Sequence, residues 1–415
     1  MSQTPPLTMP VHQFDAEFDN SHVVDTSVIR KIALVMVLSY IFLIPWGNAV
    51  WDGFIRIFGM GSLGLAALVV VTHGTHRQYS FFHLFLVMFG SWVMLTLLWS
   101  PDVSTGKESA STIIQLVFIS FVISLLIDTR DKIRLAYQGY VFGTCVGSGI
   151  IFYNYMNGIE SKYWARYSIE NYEPDGVGIM IAIAVPMAAY LTTQYKSAIF
   201  KILNSIAIPV CMFAIFLNAT RTASIVAMFG IAYWLFTHRK ASLKIKAMLL
   251  AFFVSSIVGV LAFAPATSVD RIFSSSKSIS SGTLNGRTVI WSASFQQWEK
   301  SPIVGAGIGS IEQMLSGSHV EFNSAHNTYI QVLIELGIIG LLLYLLVLLS
   351  IAYYLQKTPI NDKIFLTSLL LLALVGQLTM NTLYDKEMWF ALTMLAIHAH
   401  ILGKYPQSNI SFSRS

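Results

Sequence analysis

Residues 327–355, NTYIQVLIELGIIGLLLYLLVLLSIAYYL, decide the fold class. The stretch holds a single charged side chain, Glu335. At 1.5 Å per residue, a helix of about 20 apolar residues crosses a hydrocarbon core of roughly 30 Å. In lipid a lone segment must satisfy its own backbone groups, and a run of this length does so only as a helix. Comparable runs recur at about 31–50, 53–72, 80–99, 110–127, 134–157, 176–195, 199–217, 221–237, 245–264, 363–383 and 387–403. They lack the two-residue alternation of barrel strands. The sequence therefore predicts an all-α polytopic membrane protein with about twelve transmembrane helices.

Composition agrees with that reading. Of 415 residues, 55% are hydrophobic and 11% charged, and the mean hydropathy is +0.63, which excludes an ordinary soluble domain. Residues 1–29 are polar, with Asp15, Glu17, Asp19 and Asp25, and show no short apolar core followed by a small-residue cleavage site. The N-terminus is thus expected to stay attached and cytosolic. On that orientation the inward segments carry about sixteen of the lysines and arginines, against roughly ten outside. This bias favours an even number of spans with both termini inside. The net charge of +5 is scattered through short loops, which reports topology rather than nucleic-acid binding. Cys145 and Cys211 lie in apolar runs and read as small buried hydrophobes, so redox and zinc chemistry drop out. The expected organisation is a cytosolic tail at 1–30, transmembrane helices 1–9 at 31–264, an outward loop at 265–326, helices 10–12 at 327–403, and a cytosolic tail at 404–415.

Two outward segments, 158–175 and 265–326, are longer than a connector needs, whereas the inward loops read as simple turns. Function is expected on the outward face. Within the longer loop, Ser274 to Ser281 precede Arg287 and a run in which Trp291, Phe295 and Trp298 recur at i, i+4, i+7. That spacing forms one apolar stripe on a short amphipathic helix, expected to lie against the bilayer surface. No internal repeat is visible, nor the paired broken helices of a secondary transporter.

The chemistry-bearing residues gather near these loops. His326 stands just before the helix of the opening stretch, with Ser324 available as N-cap. The positive end of the helix dipole disfavours imidazolium there and leaves a neutral ring able to accept a proton. The alternative is a histidine that only caps or packs. Arg221, in Asn218-Ala219-Thr220-Arg221-Thr222, joins a charged fork to a helix N-terminus, a combination that holds phosphate oxygens. A snorkelling interfacial arginine is the plainer reading. Arg287, after Asn285-Gly286, repeats the arrangement, and two such arginines suit a diphosphate.

Glu335 falls nine residues after His326, about 900° around the helix and so on the opposite face, which favours a structural hydrogen bond to a neighbouring helix. Arg166, ahead of Tyr172-Glu173-Pro174-Asp175, could add positive potential or be an exposed loop residue. Arg166, Asn327, Tyr329 and Asp385 are the candidate substrate contacts, although Asp385 and Lys386 also read as a solvated loop pair. His83, His398 and His400 are expected to serve packing. The glycines of Pro302-Ile303-Val304-Gly305-Ala306-Gly307-Ile308-Gly309-Ser310 lack the P-loop Lys-Ser/Thr and follow no strand, so a backbone turn at the membrane surface is expected.

Thr220-Arg221-Thr222-Ala223, Arg287 followed by Trp291, the Pro302 to Gly309 turn, and His326-Asn327-Thr328 running into Glu335-Leu336-Gly337-Ile338-Ile339-Gly340 occur in this order. The set resembles the O-antigen ligase family and the related O-antigen polymerases and exopolysaccharide proteins, over approximately residues 160–345. The resemblance implies a GT-C-like, metal-independent, inverting glycosyltransferase of the bacterial inner membrane, needing no cofactor. Such an enzyme transfers a glycan from undecaprenyl diphosphate to lipid A-core oligosaccharide in the periplasmic leaflet, completing lipopolysaccharide. By the same resemblance Arg221 and Arg287 would bind the donor diphosphate, and His326 would activate the acceptor hydroxyl. The chain departs from the common pattern at Thr220, where Ser often stands, and at Asp175, where Asn often follows the proline. Asp102 and Asp270 are isolated acids, and the absence of a DxD-like pair fits a lipid-diphosphate donor. A polymerase would use the same donor. A transporter or flippase, with His326, Glu335 and Arg221 as a path, would instead need broken helices and charges near the midplane.

Overall fold

A computed structural model describes residues 26–50, 52–73, 80–162, 166–170, 172–220, 222–224, 227, 287–311, 313 and 324–404. The expected spans at 221–237 and 245–264, Arg221, the Ser274–Ser281 stretch, most of both tails and most of the 265–326 loop lie outside the described residues.

Among the described residues the secondary structure is helical, without strands. The long helices are α1 (Thr26–Leu43), α2 (Asp52–His73), α3 (Phe81–Thr96), α4 (Val103–Leu126), α5 (Arg130–Met156), α6 (Pro174–Gln194), α7 (Ala198–Asn218), α8 (Arg287–Trp298), α9 (Thr328–Gln356), α10 (Ile360–Thr379) and α11 (Lys386–Lys404). Among the described residues, seven stretches, Phe81–Trp99, α4, α5, α6, α7, α9 and Asp362–Thr379, are long and apolar enough to cross a membrane. The chain is a multi-pass helical membrane protein. Helices α1, α2 and α11 coincide with further expected spans.

The bundle is organised around α6. Of its most apolar window, 89% is buried, because small Gly and Ala residues alternate with Ile, Val and Met and let neighbours close on every face. Pro174 opens the helix at its first position, where a missing N–H costs nothing. Lipid-facing surfaces elsewhere remain apolar and exposed, as at Ile199, Ile202, Leu342 and Leu349.

Helix α9 is broken, which its uniform hydropathy conceals. Gly337 has φ +69° and ψ −171°, and the glycine turn from Pro302 to Gly309 enters the gap. The freed carbonyls of Ile334, Glu335 and Leu336 accept from Ala306 N–H (3.0 Å), Gly307 N–H (2.9 Å) and the Trp92 indole (2.9 Å). The N–H groups of Ile338 and Ile339 donate to the Pro302 and Ile303 carbonyls, at 3.0 and 3.2 Å. Five of the groups released by the break thus find protein partners, the condition for irregular backbone within a membrane protein. This corrects two expectations. The glycine turn is inserted into a helix rather than laid on a surface, and one helix of the bundle is discontinuous.

Candidate functional site

The site forms where the starts of α6, α8 and α9 and the α10–α11 turn meet at one end of the bundle. The start of α9 is fastened first. Asn327, rather than Ser324, is the N-cap: its side-chain oxygen accepts from Ile330 N–H at 3.1 Å. Its amide donates to the Leu378 carbonyl at 3.0 Å, so both ends of this candidate substrate contact engage backbone. Thr328 donates its hydroxyl to the Met380 carbonyl (2.9 Å) and accepts from Thr382 N–H (2.9 Å). Tyr329 is half-buried, its ring 6.3 Å from that of Tyr344 and packed on the core.

His326 precedes this cap with φ +46°, a left-handed conformation that costs a non-glycine residue about 1–3 kcal/mol. The neighbouring Ala325 is held on both sides, its N–H donating to Gln331 Oε1 (3.1 Å) and its carbonyl accepting from the Trp291 indole (2.9 Å). Trp291 and Trp298 pack with Ile290, Ile311, Ala325 and Ile334. The stripe on α8 therefore turns largely toward α9, with Phe295 left 37% exposed, rather than lying on the bilayer as expected. The inward face of Trp291 escaped sequence reasoning because a tryptophan stripe suits a headgroup and a protein groove equally well.

Burial lowers the His326 pKa below its ordinary value; the Arg287 guanidinium pushes the same way, and Asp175 opposes. A pKa lowered in this way favours the neutral ring at pH 7, with desolvation the largest cause and Arg287 the next. Arg287 also acts on Glu173, whose carboxyl is raised by desolvation and by Asp175. Asp385, expected as part of a solvated pair, is half-buried and close to the α6 start: a Cβ on Gly176 would lie 3.8 Å from its Oδ2. Its pKa is raised well above the carboxylate range by burial, then by Glu387 and Glu173, with Lys386 opposing.

Arg166 is buried at 4% exposure and donates to Asp175 at 2.5 Å, so it is no free loop cation. Thr220 donates to the Asn218 side chain and lies 3.4 Å from Asp175 Oδ1, bringing the residue before Arg221 against the same carboxylate. Arg221 itself lies outside the described residues. The fold thus draws Arg166, Arg287, His326 and Asp385 to one end, together with Glu173 and Asp175, which sequence reasoning had not placed in the site. The available signal was an acid in the first turn of a helix opened by proline.

Asp175→Ala should leave a buried guanidinium without its partner. The expected loss is about 3–5 kcal/mol, read as a lower thermal midpoint of detergent-solubilised protein. An Arg166→Met, Asp175→Ala double variant should lose less than Asp175→Ala alone; equal losses would refute the pairing.

Glu335 is fully buried and sits away from His326, accepting from Tyr384 Oη (3.0 Å) and Gln331 Nε2 (2.7 Å). A cavity of about 350 Å³ lined by Arg130, Arg134, Tyr190, Gln194, Asp362 and His398 lies at the far ends of the helices that bound the site. It is remote from His326. His398 is buried there against Tyr137 and Tyr190.

Fold and site together define a multi-pass membrane protein with a charge-balanced polar centre at one end, built around a neutral histidine and a neighbouring arginine. Residues 206–345 match the family model of the O-antigen ligases, the family that the sequence motifs resemble. No curated protein matches the chain. The matched stretch carries Arg221, Arg287, His326 and Glu335, whereas Arg166, Asp175 and Asp385 come from outside it. The family implies a glycosyltransferase-like enzyme acting on glycan-bearing lipids within the membrane.

Proposed function

We propose that this chain is an O-antigen ligase of the bacterial inner membrane, transferring a glycan from undecaprenyl diphosphate to lipid A-core oligosaccharide at the periplasmic face. The observation that carries this reading is the match of residues 206–345 to the family model, with His326 half-buried within reach of the Arg287 and Asp175 charges. In the reaction, a hydroxyl oxygen of the acceptor sugar attacks the anomeric carbon of the donor. The bond from that carbon to the diphosphate oxygen breaks, and undecaprenyl diphosphate leaves with the electron pair. Neutral His326 takes the hydroxyl proton, while Arg287 and Arg221 neutralise the departing diphosphate. Attack opposite the leaving group inverts the anomeric centre, and no step calls for a metal. Arg166 is held by Asp175 and supports the α6 start rather than meeting substrate. Asp385 and Tyr329 are the candidate contacts with the sugars, and Asn327 aligns His326.

The polyprenyl tail stays in lipid, so the charged residues must meet its head at a helix-end surface. The tails at 1–30 and 404–415 then lie in the cytosol and the 265–326 loop in the periplasm. Transfer by purified protein from lipid-linked O-antigen to lipid A-core, with and without EDTA, tests the proposal. EDTA-resistant lipid A-core product is the expected result. Lengthening of the lipid-linked glycan without that product would make the chain a polymerase using the same donor.

A further inference from the structure

His326 occupies a left-handed conformation that its own helix does not enforce, so something outside must hold it. Asn327 and Thr328 anchor its C-terminal side. On the N-terminal side the anchor is the Ala325 peptide, whose N–H rests on Gln331 Oε1. A glutamine side chain can offer that oxygen or, flipped, present an N–H that would oppose the Ala325 N–H. The choice is made one turn further along α9. Gln331 Nε2 lies 2.7 Å from Glu335 Oε1, an acceptor, so the amide must donate there and turn its oxygen to Ala325. Glu335 is itself held by Tyr384 Oη and by the backbone N–H groups of Gly309 and Ile311. Its carboxyl group thereby also ties His326 to the glycine turn that follows α8, the helix carrying Arg287.

We infer that Glu335 is a positioning residue: its carboxylate sets the polarity of the Gln331 amide and so locks the Ala325–His326 peptide in the geometry the site requires. Glutamine at position 335 has nearly the same shape but can turn an N–H toward Gln331. The Gln331 amide then flips to accept it, and two N–H groups face each other at Ala325. Exchanging the two side chains restores every polarity on this path, because a carboxylate at position 331 accepts both from an amide at position 335 and from the Ala325 N–H.

Only the activity readout rests on the ligase reading. In the transfer assay, Glu335→Gln should lower kcat at least about tenfold, with KM for the lipid-linked donor changed less than about threefold. Gln331→Glu should do the same. The exchanged pair, E335Q with Q331E, should recover at least about half of wild-type kcat. An activity-independent readout is carbethoxylation of His326 by diethyl pyrocarbonate, followed by peptide mass spectrometry. Its rate should rise at least about threefold in Glu335→Gln and return toward wild type in the exchange.

Wild-type kcat and labelling in Glu335→Gln, or an exchanged pair no better than the single variant, would overturn the inference. Should Glu335→Gln fail to accumulate as folded protein, the exchange decides: recovery of folded protein with wild-type labelling supports the inference, and an unfolded exchange overturns it. If wild-type protein transfers nothing, the ligase reading fails and the labelling comparison alone judges Glu335.

Discussion

His326→Ala is expected to lower the transfer rate by about 10²–10⁴-fold, the range of a lost general base, while the protein remains folded. The size follows from the role proposed: the acceptor hydroxyl is a weak nucleophile until a base takes its proton during attack. The pH profile offers a second check. His326 acts as the neutral ring, and its pKa is depressed below 6.5, chiefly by burial and then by Arg287. Activity should therefore hold from pH 7 down past 6.5 and fall only as the pH drops through the depressed value. Removing the Arg287 charge in Arg287→Gln takes away one force disfavouring imidazolium. The acid limb of kcat/KM should then move to higher pH, besides any loss from weaker diphosphate binding. An acid limb that stays in place would separate Arg287 from His326.

Gly305→Ala should be strongly damaging. Gly305 has φ +76°, and a Cβ there would lie 2.4 Å from both the Glu335 carbonyl oxygen and the Gly337 nitrogen. Neither atom can give way, because both belong to the backbone at the α9 break. Left-handed strain costs about 1–2 kcal/mol and overpacking about 1–3 kcal/mol. The sum predicts a loss of about 3 kcal/mol or more, and a turn displaced from α9 that also releases Glu335. Thermal midpoint and yield of folded protein measure it. Gly64→Ala is the control, since nothing lies within 4 Å of that position. It sits inside α2, and the change should be neutral or stabilising by up to about 1 kcal/mol. Equal losses in the two variants would refute the argument from the inserted turn.

Much of this site could be read in one dimension. His326 was a candidate because it directly precedes a long apolar helix, where capping or packing was the alternative, and Arg287 because it opens a short amphipathic one. Arg166 was ambiguous: a lone arginine in an outward loop reads equally as solvated or functional. The fold resolves it into a buried partner of Asp175, nine residues along the chain. Ser324 and Asn327 are both good capping residues, and only the backbone path selects Asn327. The break in α9 was hidden because glycine within an apolar run is tolerated in membrane helices. Nothing in residues 334–339 announces that residues 302–309 will supply their missing hydrogen-bond partners.

The sequence by itself determined the solvent, the helical state and the residues able to carry charge or protons, because hydropathy, periodicity and side-chain chemistry are properties of short windows. The tertiary structure decided which helix starts share one end of the bundle. It also decided which ionisable groups are desolvated beside one another and which peptide groups bridge a broken helix. These depend on the approach of segments more than a hundred residues apart, which brings the Asp175 charge near His326 and the Trp92 indole onto the Leu336 carbonyl. Such contacts are set by packing geometry, to which no local pattern in the chain corresponds.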